Sequence, residues 1–157
     1  MKIELTKAQY RNLITMSAIS TGVFGILGDM VDEKYKKQSK ITDEMEDHLL
    51  GYAKQFGSED LIEKYEGKDV LSEEFYDQKI QPILTDYEEF SLYDGLSHEL
   101  ARRDFKKDYT PAEIKKMSEK NGGYFGVEMY DYEKKYWDEF DEYEYDRLEI
   151  VESVKKI

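Results

Sequence analysis

The sequence predicts an all-α protein, a compact single-domain bundle of about five or six helices over residues 1–157, and three features carry that expectation. Only Pro82 and Pro111 interrupt the chain, so helical geometry is rarely barred. Apolar side chains recur at spacings of three and four through long stretches. Start and stop signals stand where those stretches begin and end, most clearly at Thr110-Pro-Ala-Glu113 and Asn121-Gly122-Gly123.

The first helix opens at Thr6, whose spacing to Gln9 is that of a capping box, and runs over residues 7–35 with Leu13, Met16, Val23, Ile26, Leu27 and Met30 on an apolar face. Gly22, Gly25 and Gly28 on neighbouring turns each cost up to about 1 kcal/mol relative to alanine, which predicts a break or close backbone packing there. A second helix is expected after Thr42, using Met45, Leu49, Tyr52, Ala53 and Phe56 and stopping at Gly57. Ser58 then caps a short third helix through Leu61, Ile62 and Tyr65 that Gly67 ends, and another short helix from Ser72 ends before Pro82. From residue 86 to 107, Phe90, Tyr93, Leu96, Leu100 and Phe105 mark one long helix, with a shorter one after Thr110 carrying Ile114 and Met117.

The last quarter is the densest mixture of rings and carboxylates, with nine of the 22 aromatic residues between Tyr124 and Tyr145. At roughly 100° per residue, Met129, Tyr132, Tyr136, Phe140 and Tyr143 share an arc of about 80° and form a core stripe. Tyr130 and Trp137 lie off that stripe, seven residues apart. Beyond Tyr143 the spacing drifts toward alternation, which allows a minor two-stranded pairing of the chain ends, residues 147–151 against residues 2–5.

Composition narrows the function classes. At 39% hydrophobic and 14% aromatic the chain is too apolar for a disordered acidic tail, despite a net charge of −13. With no cysteine, a disulfide framework, a thiolate metal site and a cysteine nucleophile are excluded. Residues 12–28 carry no charge, yet Thr15, Ser17, Ser20, Thr21 and three glycines favour a buried core helix over a membrane span. Glu4 in the would-be basic region argues against a secretory signal, so a cytoplasmic protein is expected. Residues 43–89 hold 15 acids against 4 bases and residues 128–149 hold 10 against 3, so direct binding to a nucleic-acid backbone, which needs a cationic footprint, is not expected.

Catalytic signatures are lacking. No Gly-x-Gly-x-x-Gly, phosphate loop or Gly-x-Ser-x-Gly elbow occurs. Glu44 with His48, and Asp94 with His98, place acid and imidazole one helical turn apart, but the position three before each histidine is Met45 or Gly95, which fails the di-iron pattern. No cofactor or metal is expected, and the chain leans away from being an enzyme, a small enzyme without a recognisable motif being an alternative reading. The basic run Arg102-Arg-Asp-Phe-Lys-Lys107 reads as a solvated face or as pairing with the acidic helices, and otherwise as a dock for an acidic partner.

Three phrases carry a resemblance: Lys2-Ile-Glu-Leu-Thr-Lys-Ala-Gln-Tyr-Arg-Asn-Leu-Ile14, Leu100-Ala-Arg-Arg-Asp104, and Glu133-Lys-Lys-Tyr-Trp-Asp-Glu-Phe140 followed by Asp146-Arg-Leu-Glu-Ile150. The chain resembles a group of small acidic prokaryotic proteins with no assigned function, from which the glycine-rich residues 21–28 depart. The resemblance implies a helical domain and no activity. Two functional classes remain. One is a protein-interaction module anchored by Tyr130, Trp137 and Tyr145 beside Asp141, its partner another protein and not a membrane. The other is an acidic mimic of nucleic acid, built on residues 43–89 and 128–149, that inhibits a DNA- or RNA-binding protein.

Overall fold

A computed structural model describes residues 4–123 and 126–149. The fold is all-α with one small hairpin, and the chain divides into two compact units, Met1–Asp86 and Tyr87–Ile157. Where the sequence reads as one domain, the boundary falls inside a long helix instead of at a linker.

In the first unit, α1 (Lys7–Ile26) starts at the expected capping box, with the Thr6 side chain accepting from the Gln9 backbone N–H and the Gln9 side chain accepting from that of Thr6. The glycine stretch does break it. A π-helical turn covers Leu27–Val31 and a 3₁₀ turn Glu33–Tyr35. Gly28 shows why: a Cβ there would meet the Lys36 backbone nitrogen at 3.3 Å. Tyr10, Ile14 and Ala18 form the buried face of α1, while Met16, Val23, Ile26, Met30 and Val31 stay exposed, so the helix is not buried all round. By length and composition alone, Lys7–Val31 could cross a membrane.

The second helix, α2 (Lys36–Leu50), begins before Thr42. Thr42 is interior, and its hydroxyl donates to the Ser39 carbonyl at 2.7 Å, so it bonds back along the helix rather than capping it. A 3₁₀ turn, Ala53–Phe56, follows, and Gly57 is the stop. The third helix expected after Ser58 is not formed beyond the single turn Glu59–Leu61; its place is taken by a hairpin of β1 (Ile62–Tyr65) and β2 (Lys68–Leu71), paired antiparallel from Ile62↔Leu71 to Tyr65↔Lys68. Glu66 and Gly67 both adopt positive φ, the geometry of a two-residue hairpin loop. Of the expected pairing of the chain ends, residues 2–3 and 150–151 lie outside the described residues, and residues 4–5 and 147–149 form no strand.

Two clusters hold this unit. Tyr10, Ile14, Leu50, Ala53 and Leu61 are buried together, and Ala18, Ile80 and Leu84 form the other, with Leu71 and Phe75 packed on both. Tyr10 stacks on Phe56 with centroids 4.2 Å apart and donates its hydroxyl to the Leu49 carbonyl at 2.7 Å. One Arg11 guanidinium nitrogen donates to both Asp60 carboxylate oxygens at 2.8 Å. Burying each large aliphatic side chain contributes about 1.5–3 kcal/mol, so these clusters outweigh the exposed ion pairs.

Ser72 caps a short α3 (Glu73–Phe75), which continues through a π-helical turn, Tyr76–Ile80, into α4 (Gln81–Asp108). Pro82 therefore does not end a helix. It comes just after the π-helical turn Tyr76–Ile80, where the regular α-helical hydrogen-bond ladder is already interrupted.

The second unit comprises α4 from residue 87, α5 (Pro111–Lys120) and α6 (Gly126–Tyr143). The Thr110 capping box and first-turn proline form as expected, and Gly122 and Gly123 take positive φ at the stop. Contacts between α4 and α6 run in opposite directions along the two helices, from Tyr93 on Phe140 to Asp108 on Tyr132. Ala101, Phe105 and Phe140 are buried, with Ser97 beside them in sequence register.

Candidate functional site

The α6 stripe is placed largely as its periodicity dictates. Phe140 is 2% exposed and stacked on Tyr93 at 5.3 Å, and Met129, Tyr132, Tyr136 and Tyr143 are half-buried. Tyr132 meets Phe105 edge-on at 5.7 Å and donates to Asp108 at 2.8 Å. The Asp108 carboxylate, with burial second, pushes the Tyr132 phenol up to about 12, so it remains a neutral donor at ordinary pH.

On the flank, Tyr130 is 60% exposed and Trp137 is half-buried against Phe90, centroids 5.7 Å apart. Phe90 itself is 58% exposed, as is most of Tyr87 one turn before it. Asp141, the next residue along this side of α6, is exposed. Tyr145, in the turn after α6, packs on Tyr93 at 5.1 Å and so adjoins Phe140 rather than Trp137. The structure thus brings Trp137 together with Phe90, one of the apolar positions that mark α4 in the sequence. Helical spacing puts Phe90 and Tyr87 close to the line of Ser97 and Ala101, two to three turns before the buried part of that line begins, so their exposure was not legible in the sequence.

A polar cluster surrounds Asp104, about four turns along α4 from Phe90. Asp104, 18% exposed, accepts from Arg103 at 3.0 Å, Lys107 at 2.9 Å, Lys135 at 3.4 Å and the Tyr136 hydroxyl. These hydrogen bonds, the Tyr136 hydroxyl first, hold the Asp104 carboxyl well below the usual carboxylate range. A depressed folded-state value means stability that is present above the unfolded carboxylate range and is lost as pH falls through the folded one. Asp104→Asn is accordingly expected to cost about 1–3 kcal/mol at pH 7, with the gap to wild type closing toward pH 2; urea midpoints across pH check it. Arg102 pairs with Glu99 at 2.6 Å, so the basic run is spent mostly on intramolecular contacts.

The acid–imidazole pairs separate. His98 stands between Asp94 at 3.5 Å and Glu133 at 2.8 Å, whereas Glu44 lies 3.7 Å from Lys40 and His48 meets the Tyr52 ring edge-on. Among the described residues no three His, Asp or Glu side chains are grouped to hold a metal ion. His98, Glu133, Arg102, Lys106, Ile114 and Met129 are among the residues lining an open groove of about 430 Å³ that contains an acid and an imidazole. In the first unit, Thr21, Glu46, Glu63 and Glu73 line a cavity of about 390 Å³ with Ala18 and Leu71. Burial pushes the Glu46 carboxyl up, opposed by the Thr21 hydroxyl and reinforced by Asp43 and Asp47.

No protein-family profile matches the chain, and no curated protein or solved structure matches it at a significant level. The functional reading therefore rests on the geometry of these sites.

Proposed function

We propose that the protein is a non-enzymatic, cytoplasmic protein-interaction module whose contact surface is the aromatic flank of α6, with Tyr130 and Trp137 as anchors and Asp141 beside them. The observation that carries this reading is the solvent-facing run of large rings on one side of the α4–α6 pair, Phe90 against Trp137 with Tyr130 further along α6. Aromatic residues dominate binding hot spots because they remove much apolar area from water at little conformational cost. Tyr145, packed on Tyr93, supports the edge of that surface. The net charge of −13 disfavours direct contact with nucleic acid or an anionic membrane surface.

Affinity capture from native lysate at low and high salt, with Tyr130→Ala and Trp137→Ala beside wild type, tests the proposal. A protein retained at high salt and lost with either variant is the expected result. A complex equally strong with both variants, dissolved by salt and displaced by DNA, would instead favour the nucleic-acid mimic.

A further inference from the structure

The antiparallel arrangement of α4 and α6 sorts the charges of the second unit in a way that the linear sequence conceals. Residues 87–101 carry four acids and no base, and residues 137–149 carry seven acids and Arg147 alone, a combined net charge of −10. Residues 102–136 carry nine bases against seven acids, a net of +2. Because Phe90 meets Trp137 and Tyr93 meets Phe140 and Tyr145, the first two stretches come together at one end of the helix pair. That end also holds the exposed rings of Tyr87 and Phe90 and the half-buried Trp137, with Tyr130 two turns earlier on α6. Of its carboxylates, Glu88, Glu89, Asp138, Asp141, Glu142 and Asp146 are exposed.

Resting on the interaction-module reading, we infer that the partner is a lysine- or arginine-rich segment of another protein that also carries large apolar side chains. Carboxylates at net −10 around apolar rings attract a cationic chain over several ångströms and speed its encounter. The rings then reward only a segment with apolar groups to bury, which separates this partner from a purely basic polymer. A second copy of this chain is a poor occupant, since it would bring another net −10 surface against the first.

Trp137 is the only tryptophan in the chain, so its fluorescence reports directly on this surface. The probe is a tryptophan-free peptide of about 18 residues with leucine on one helical face and lysine on the other, alongside a counterpart with glutamate for lysine and a lysine peptide lacking leucine. The leucine–lysine peptide is expected to shift Trp137 emission saturably, the glutamate counterpart to leave it unchanged, and the leucine-free peptide to bind at least about tenfold more weakly. Asp141→Lys/Asp146→Lys should weaken the leucine–lysine peptide about tenfold or more, whereas Glu119→Lys on α5 should change it by less than about twofold. Equal binding of the glutamate counterpart, or equal loss in Glu119→Lys, overturns the inference. If proteins captured from lysate are lost with Tyr130→Ala yet indifferent to Asp141→Lys/Asp146→Lys, the module stands and its basic partner falls; if Tyr130→Ala changes neither capture nor peptide binding, the module itself falls.

Discussion

Replacing Tyr10 with alanine is expected to destabilise the first unit by about 3–5 kcal/mol, a large part of what a domain of this size possesses. Three separate losses add up at this position. The ring is 1% exposed and fills space among Ile14, Leu50, Ala53 and Leu61, so its removal leaves a cavity that those side chains only partly fill. The stacked contact with Phe56 goes with it. The Leu49 carbonyl, near the end of α2, loses the hydroxyl that donates to it. Tyr10→Phe separates the last from the first two and should cost only about 1 kcal/mol. Hydrogen exchange of α1 and α2 amides reads both: protection should collapse in Tyr10→Ala and fall modestly in Tyr10→Phe.

Phe140→Ala should have a comparable effect on the second unit, about 3–5 kcal/mol. Phe140 is the one fully buried residue of α6, and its stack on Tyr93 ties the C-terminal half of α6 to α4. Tyr145 leans on the same Tyr93 ring from the following turn. Urea unfolding followed by Trp137 fluorescence gives the measurement, because Trp137 lies one turn from the deleted ring. Tyr130→Ala, at an exposed position on the same helix, should shift that midpoint by less than about 0.5 kcal/mol.

The helices with complete local signals were legible in the sequence. Thr6 with Gln9 and Thr110 with Pro111 and Glu113 carry their own hydrogen-bond partners within four residues, so nothing distant could override them. The failures have a common origin in long-range packing. Thr42 resembles a cap in sequence, but its hydroxyl has a backbone carbonyl available inside a helix that begins six residues earlier. Ile62-Glu-Lys-Tyr65 fits a helical spacing as well as a strand, and the choice is made by Leu71 and Ile62 packing against the Leu50 and Leu61 cluster. At the candidate surface, periodicity separated Tyr130 and Trp137 from the core stripe of α6 but could not find Phe90. Which face of α4 is covered depends on where α6 and α5 lie, and that is not written in α4 itself. The charge segregation was hidden for the same reason, since residues 87–101 and 137–149 become neighbours only through the antiparallel pairing.

The central claim is that Tyr130 and Trp137 bind another protein rather than cover this one. Its most direct test is the dissociation constant of the captured partner for wild type and for Tyr130→Ala/Trp137→Ala, with circular dichroism confirming that the double variant is folded. An increase of about tenfold or more is predicted, the signature of hot-spot residues. A constant unchanged within about twofold in a folded double variant would contradict the account.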